Sequence, residues 1–555
     1  MKRWKGCHWL LLVSVLGVLA VVGVLVYVTR RGCCPSQAPY AHAAVAADST
    51  NCSKVGRDIL QQGGSAVDAA IAAMLCSSLV HPQSVGIGGG SIYTIYQAAT
   101  DRVTVINARE VAAKNLHPGM FSRCSKTVPI PGAQWIGVPG EIQGYWDAHQ
   151  QFGKLPWKSL FQPAIQLARN GIEINPILKK FLEHILLKPE LLKRKIGSLF
   201  YNDNGTLRKT VLYAQLAKTL ETIAKQGPGA FYNGNIAQDL IKDIMNASDH
   251  QDSASNLTLE DFRQYKAVVM EPLTVSLGKY TMYTPPAPSR SAIIIFMLKI
   301  LEGFNFTPKS LEKDQKVETY HRIIESLKFA NGGEDKISSA KILPQLLEQF
   351  AQAARKKIDG QAHPQEYYSN ISGGKESYGT SHVSVIDSEG NAVSVTSSIN
   401  HPFGSMVYSE STGIILNNQL TDFCGSGNLE VAGLQPPSSM SPSILLSKDR
   451  ESMMVLGASG GSMITSAIAQ VITNKLWFGL NMKEAITQPR IYVAAGNVVH
   501  FEGSFDVDTK NALLQKNHSS KKPLPLPSVV QGIFREHGCI EAVSDERKKG
   551  TSAGY

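Results

Sequence analysis

The stretch "GGKESYGTSHVSVIDSEGNAVSVTSSIN", Gly373 to Asn400, is the part of the chain whose reading decides the fold. An alternation of period two begins at Thr380, with Ser381, Val383 and Val385 on one face and His382, Ser384 and Ile386 on the other. It predicts a strand over 381–386, a turn through Asp387 to Asn391 and a return strand over 392–396. Thr396, Ser397, Ser398 and Asn400 form a polar cluster at the far end of that return. On these residues alone, a Thr opening an ordinary hairpin is the simpler interpretation. The alternative is chemical: if the Gly379–Thr380 bond is cut, Thr380 becomes an N-terminal nucleophile whose own α-amine serves as general base. An α-amine titrates near pH 8, about 2.5 units below Lys, so it can take the hydroxyl proton near neutrality. Gly379 leaves the scissile carbonyl uncrowded, and a strand start holds the new terminus rigidly.

The remaining sequence sets the context. A chain of 555 residues with 43% hydrophobic and 18% charged content folds around a sizeable core, and excludes both wholesale disorder and a polytopic membrane protein. The net charge is +10, but Lys and Arg are scattered, with local clusters only at Lys2 to Lys5, Lys193 to Lys195 and Arg547 to Lys549. No basic stripe interleaved with aromatics appears, so nucleic acid is not an expected partner.

Residues 9 to 28, "WLLLVSVLGVLAVVGVLVYV", carry no charge. As a helix they cover roughly the 30 Å core of a bilayer, and they exceed the roughly 7–15 residue apolar core of a cleaved signal peptide. The expected plan is therefore a cytoplasmic tail at 1–8, an anchor at 9–29, a stem at 30–40 and a body beyond. Glycosylation sequons occur at Asn51, Asn204, Asn246, Asn256, Asn305, Asn370 and Asn517, all on the C-terminal side of the span. That asymmetry predicts a type II single-pass protein of the plasma membrane with an extracellular body. Most of the eight cysteines look solitary. Cys52 and Cys76 are the exception: they bracket two predicted helices broken at Gly63-Gly64, the second started by a Ser65/Asp68 capping box. Two antiparallel helices of that length bring the cysteines level, so a disulfide is expected there. Residues 145 to 272 read as mainly helical, whereas strand-like runs cluster at 381–386, 392–396, 412–416 and 453–457, followed by a helix from about Met463 to Trp477.

Motifs narrow the chemistry. The Gly374-Lys375 pair is followed by Glu376 and so makes no phosphate loop, and there is neither H-E-x-x-H nor C-x-x-C. No metal and no cofactor are implied. The run Gly86 to Gly90 precedes a strand where a dinucleotide loop needs a helix, so it reads as a turn. A rival to Thr380 is Gly457-Ala458-Ser459-Gly460-Gly461, a G-x-S-x-G match with a strand before it and a helix after it. A Ser459 hydrolase would need a downstream acid and histidine, for which Asp506 or Asp508 and His518 or His537 are available.

Whole segments shift the balance. "AAVAADSTNCSKVGRDILQQGGSAVDAAIAAMLC", "INARE", "GAQWIGVPGEIQGYWDAHQQFGKLPW", "GTSHVSV", "TGIILNNQ", "PSSMSPSI", "GASGGS" and "SDERKKGTSAGY" together resemble the gamma-glutamyltransferase family over residues 40 to 555. "INHPFGSMVYS" and "QWIGVPGE" most resemble its gamma-glutamyl leukotrienase branch, also called glutathione hydrolase type five. The resemblance implies an α/β fold, the αββα sandwich of N-terminal-nucleophile hydrolases. It also implies a chain that cuts itself between Gly379 and Thr380 into a large subunit, 41–379, and a small catalytic subunit, 380–555, which remain together as a heterodimer. Thr380 matches the nucleophile, Ser398 a position that is usually Thr, and Gly460 and Gly461 the amides of the oxyanion hole. Arg109, with Ser438 and Ser439, matches the group that holds the substrate's α-carboxylate, and Asn400, Gln419 and Asp422 match the group that holds its α-amine. The implied substrates are γ-glutamyl compounds, namely glutathione and its S-conjugates including a leukotriene conjugate, with water, an amino acid or a dipeptide as acceptor. Two departures stand out: Gln419 replaces a Glu common in animal members, and "NGGEDKISSAKI" lacks the Leu-Gly-Asp-Pro run usual nearby. An unprocessed, non-catalytic surface glycoprotein of the same fold and a Ser459 hydrolase remain as alternatives at this stage. From residue types alone, a structural ion pair is the preferred reading of Arg109 and Asp422.

Overall fold

The structure is a computed structural model and describes residues 34, 39–116, 120–124, 131–247, 254–337, 344–368, 379–424, 430–523 and 526–555. The predicted anchor at 9–29, the sequon at Asn370 and the approach to the hairpin at Gly373 to Tyr378 lie outside the described residues. Among the described residues no helix is long and apolar enough to cross a membrane.

The predicted hairpin forms, with strands Gly379–Ile386 and Ala392–Asn400. It is the centre of a seven-stranded antiparallel sheet in the order Ala553–Gly554, Ala44–Ala47, Gly379–Ile386, Ala392–Asn400, Gly90–Gln97, Arg102–Ala108, Val268–Met270. A second antiparallel sheet of six strands faces it: Cys539–Ser544, Val529–Glu536, Ser452–Ser459, Ser443–Ser447, Tyr280–Thr284, Leu273–Leu277.

The period-two pattern acquires a physical meaning here. Val383, Val385, Val393 and Val395 face outward into the cluster built around helix Ala66–Val80. The alternate side chains face the second sheet, not solvent, which is why every residue of both hairpin strands is buried. That inner face is partly polar and is satisfied across the gap: Ser394 Oγ donates to the Leu456 carbonyl at 2.8 Å and Ser384 Oγ to the Gln531 carbonyl at 3.3 Å. Buried polar groups persist when they are paired in this way. Ile386, Ala392, Ile444, Val455 and Ile533 close the rest of the interlayer.

Helices cover both outer faces. Ala66–Val80 is buried along its whole length and starts with the predicted capping box between Ser65 and Asp68. Thr50–Gln61 folds back against it, and the expected Cys52–Cys76 disulfide joins the pair. On the other side, Ser291–Glu302, Met463–Leu476 and Met482–Thr487 pack over the six-stranded sheet. The layers are therefore α, β, β, α, with helices between 141 and 264 extending the first helical layer. The mainly helical reading of 145–272 holds, interrupted by the short strand pair Ile172–Glu173 and Thr210–Val211 and ended by Val268–Met270, which pairs with Val105–Asn107 at the sheet edge. The unusual segment after Ala330 continues the helix Lys313–Gly332 into a turn at Glu334–Ile337, tied by an Arg290 Nε–Glu334 Oε1 contact of 2.9 Å.

Candidate active site

Thr380 lies at the start of the central strand, 2% exposed, in register with Ser398. The return strand bulges between Ser398 and Asn400, so that Asn400 pairs with Gly379 and takes a left-handed backbone, φ 76°. The bulge explains the glycine before the Thr. A Cβ on residue 379 would lie 2.4 Å from the His401 carbonyl oxygen and 2.5 Å from that of Asn400, contacts that no side chain tolerates. Ser398 Oγ donates to the Gly379 carbonyl at 2.7 Å and accepts the Asn400 N–H at 2.9 Å. Thr380 Oγ1 is 3.1 Å from the same Ser398 Oγ. Because the Ser398 proton is committed to Gly379, the Thr380 hydroxyl is the donor in that contact.

From the bulge, a polar cluster extends outward. Asn400 Nδ2 donates to Thr421 Oγ1 at 2.8 Å and to Asp422 Oδ1 at 3.0 Å, while Gln419 Nε2 donates to Asp422 Oδ2 at 3.0 Å. Arg109 Nη2 reaches Asp422 Oδ2 at 2.6 Å and the Pro437 carbonyl at 2.7 Å, and its Nε donates to the Pro436 carbonyl at 2.9 Å. The chain thus wraps around Arg109 just before Ser438 and Ser439. Asp422 is the member that reaches the surface, at 25% side-chain exposure against 1% for Arg109. Besides the Glu110 carboxyl, Arg109 Nη1, Asn400 Oδ1 and Gln419 Oε1 are buried here without a hydrogen-bond partner. One is a cationic donor and two are acceptors. Glu110 Oε2 lies 3.7 Å from Arg109 Nη1, but burial pushes the Glu110 carboxyl up to about 8 despite the neighbouring Arg109 charge. Burial thus weakens Glu110 as a counter-charge, and Asp422 is the carboxylate that hydrogen-bonds Arg109. Such a pair complements a zwitterion, which can insert its ammonium at Asp422 and its carboxylate at Arg109 without changing the net charge. The ion-pair reading of Arg109 and Asp422 is thus realised in the ligand-free chain.

Gly460 and Gly461 follow strand Ser452–Ser459 with φ of 123° and 60°, backbone that favours glycine, and lead into helix Met463–Leu476. Lys548 ties this turn to the hairpin. Its Nζ donates to the Thr380 carbonyl at 2.8 Å, to Ser459 Oγ at 3.1 Å and to Asp48 Oδ2 at 2.6 Å. Asp48 also accepts from Ser381 Oγ at 2.6 Å; although burial opposes it, the Lys548 charge and these hydrogen bonds hold its carboxyl below the usual carboxylate range. Sequence reading missed Lys548 and Asp48, although both lie in segments that carry the resemblance, "SDERKKGTSAGY" and "AAVAADSTNC". It also missed Thr421 and Glu110.

A Ser459 triad does not form. Among the described residues, Ser459 contacts the Lys548 ammonium and no histidine. His518 is held by His321 and Lys328, His537 is on the surface beside Glu451, and Asp506 caps helix Val507–Gln515. The strand–turn–helix context is real, but among the described residues no histidine or carboxylate base reaches the hydroxyl. Among the described residues, His321, Glu325 and His518 have spacing that could hold a metal ion. Lys328 Nζ already fills the cation's role there, 3.0 Å from both Glu325 Oε1 and His518 Nδ1.

The expectation of solitary cysteines is corrected: Cys34–Cys539 and Cys124–Cys424 are disulfides as well. Partners 505 and 300 residues apart leave no local signal in a sequence. Of the sequons, Asn51, Asn204, Asn246, Asn305 and Asn517 are exposed, and Asn256 is half-buried.

Two facing antiparallel sheets between helical layers, with a hydroxyl residue opening the central strand, define the class as the N-terminal-nucleophile hydrolase fold. A crystal structure of cephalosporin acylase from Bacillus halodurans superposes with a TM-score of 0.80 at 25% identity, covering 93% of this chain and 96% of that one. Within that class the chain belongs to the gamma-glutamyltranspeptidase family, whose description matches residues 52–555. It is similar to proteins named "Glutathione hydrolase 5 proenzyme": that of Rattus norvegicus is 43% identical over 576 residues, covering 100% of this chain and 99% of the relative, and that of Homo sapiens 42% over 571, covering 96% of each.

Proposed function

We propose that the chain is a self-processing γ-glutamyl hydrolase and transferase that cleaves the γ-glutamyl amide bond of glutathione and its S-conjugates, a leukotriene conjugate among them. The observation that carries this reading is the shared bulge: Asn400 pairs with Gly379 next to Thr380 and also binds Asp422, so the nucleophile and a zwitterion-complementary cluster are one assembly. Family membership and the names of the relatives support the substrate class.

Processing comes first. Thr380 Oγ1 passes its proton toward Ser398 and attacks the Gly379 carbonyl carbon, whose oxygen already accepts from Ser398. As the acyl group moves from nitrogen to oxygen, the C–N bond breaks and the proton taken from Thr380 Oγ1 passes to the departing nitrogen, freeing the Thr380 α-amine; water then hydrolyses the ester. The products are a large subunit ending at Gly379 and a small subunit starting at Thr380, paired as a heterodimer. In the mature enzyme the α-amine takes the Thr380 hydroxyl proton, and Oγ1 attacks the substrate's γ-carbonyl. The N–H groups of Gly460 and Gly461 hold the oxyanion. Collapse expels the leaving amine, which receives the proton from the Thr380 ammonium, and water or an amino acid or dipeptide then takes the glutamyl group. Arg109, Ser438 and Ser439 hold the α-carboxylate, and Asn400, Gln419 and Asp422 the α-ammonium. Residues 9–29 anchor the chain as a type II plasma-membrane protein, and the exposed sequons favour a glycosylated extracellular body.

The test is a reducing gel and an activity assay on three variants. Thr380→Ala is expected to stay a single inactive chain, Thr380→Ser to process with partial activity, and Ser459→Ala to give two chains and activity. A processed, active Thr380→Ala protein refutes the mechanism. A single inactive wild-type chain would favour a non-catalytic glycoprotein.

A further inference from the structure

We propose that the two products of cleavage before Thr380 remain covalently joined by the disulfides Cys34–Cys539 and Cys124–Cys424, and that the second bond also pins the turn that carries Asp422. The inference rests on the processing site proposed above. Of the three disulfides among the described residues, Cys52–Cys76 is internal to the large product, whereas the other two each place one cysteine on either side of the 379/380 bond. Their Cα separations, 5.5 and 5.7 Å, fall within the ordinary range for disulfides.

Each bond lies in a contact that already spans the cut. Next to Cys539, the Ile540 N–H donates to the Tyr40 carbonyl at 2.9 Å, so Tyr40 of the large product bridges the edge strand that Cys539 opens. Around Cys124 and Cys424, a small apolar cluster takes Ala112, Met120 and Trp135 from the large product and Leu420, Phe423 and Val431 from the small one. Phe121 and Phe423 meet edge to face at 6.0 Å within it.

The second bond reaches the candidate site directly. Gln419 and Asp422 stand on one short helical turn, Gln419–Phe423, that Cys424 ends. At the start of this turn Asn417 is fixed, accepting from Gly137 N and Gln419 N at 3.0 Å each and donating to the Gly88 carbonyl at 2.8 Å. At its end Cys424 is fixed to Cys124. The turn is thus clamped at both ends to the large product, one end by hydrogen bonds and the other covalently. Opening that end takes two equivalents of an added thiol: the first thiolate displaces one cysteine sulfur, and the second releases the other with formation of the oxidised thiol.

The experiment compares gels of the purified full-length protein with and without dithiothreitol. Wild type is expected to run as one species without reductant and as two with it; Cys424→Ser/Cys539→Ser is expected to give two species in both. Two wild-type species without reductant overturn the covalent link. One wild-type species in both lanes reports failed cleavage, not failed bonding. In that case peptide mapping of alkylated, unreduced protein decides, with linked Cys34–Cys539 and Cys124–Cys424 peptides supporting the proposal and alkylated free thiols overturning it. For the pinning role, Cys124→Ser/Cys424→Ser is expected to raise KM for a γ-glutamyl anilide three- to tenfold with kcat within about twofold, while Cys34→Ser/Cys539→Ser leaves KM where it is. An unchanged KM in the first variant overturns that role.

Discussion

Replacing Ser398 by Ala tests the processing geometry most directly. The Ser398 hydroxyl makes three contacts: it donates to the Gly379 carbonyl at 2.7 Å, accepts the Asn400 N–H at 2.9 Å and lies 3.1 Å from Thr380 Oγ1. As Thr380 attacks, the Gly379 oxygen becomes an oxyanion, and a hydrogen bond of about 0.5–1.5 kcal/mol becomes a charge-assisted one of about 1.5–3 kcal/mol. The difference of about 1–1.5 kcal/mol slows the step about tenfold at roughly 1.36 kcal/mol per decade. A preorganised donor in a buried site contributes more, about 10²–10³-fold when an oxyanion-hole donor is deleted. The expected slowing for Ser398→Ala is therefore about ten- to a thousandfold, toward the upper end because the Thr380 hydroxyl also loses its acceptor. Ser398→Thr keeps the hydroxyl and is expected to process within a few-fold of wild type. The assay follows precursor against time on reducing gels after cell-free synthesis, with a melting curve to confirm that the alanine protein is folded. A folded Ser398→Ala protein that processes at the wild-type rate refutes the proton and oxyanion roles assigned to Ser398.

Other outcomes follow from the same geometry. Asp422→Asn removes the one carboxylate facing the proposed ammonium and is expected to raise KM for a γ-glutamyl anilide at least tenfold at every pH tested; a benign variant would displace the head-group assignment. Gln419→Glu sets a second carboxyl about 3.0 Å from Asp422, where Gln419 Nε2 now donates, and two such groups do not both ionise readily; its KM is expected to fall below wild type only as the pH rises, measured at fixed ionic strength. Burial raises the Glu110 carboxyl from its ordinary 4.5 to about 8. Because the folded value is the higher one, the stability this group contributes is present below about 4.5 and is lost as pH rises toward 8; Glu110→Gln should therefore gain Tm relative to wild type between pH 5 and 8, and a constant difference would contradict that. Deleting residues 1–30 behind a cleavable signal peptide is expected to give a secreted, glycosylated, active protein; persistent membrane fractionation after a high-salt wash would contradict the single anchor.

The hairpin was legible because its alternation is strict, and the capping box of helix Ala66–Val80 because Ser65 and Asp68 have a fixed spacing. What alternation could not convey is that its polar face lies inside, between two sheets, where Ser384 and Ser394 bond across the gap. The flanking strands Ala44–Ala47 and Ala553–Gly554 are four and two residues of small side chains and give no periodic signal. The family resemblance named Arg109, Asn400, Gln419 and Asp422 together, and the structure joins them in one hydrogen-bonded cluster. The Lys548–Asp48 contact, 500 residues apart in the chain, depends on the closed sandwich and has no local trace.

The strand order has a consequence for how such a molecule can be made. In the seven-stranded sheet, Ala44–Ala47 lies between Ala553–Gly554 and Gly379–Ile386, and in the six-stranded sheet Tyr280–Thr284 pairs with Ser443–Ser447. A cut before Thr380 therefore assigns adjacent strands of both sheets to different polypeptides. Neither polypeptide alone contains either of these two sheets whole, and each would expose unpaired strand edges of the kind that aggregate. Assembly has to be finished while the chain is still continuous, which makes the uncut chain its own folding template. Separately expressed halves are then expected not to reconstitute on mixing.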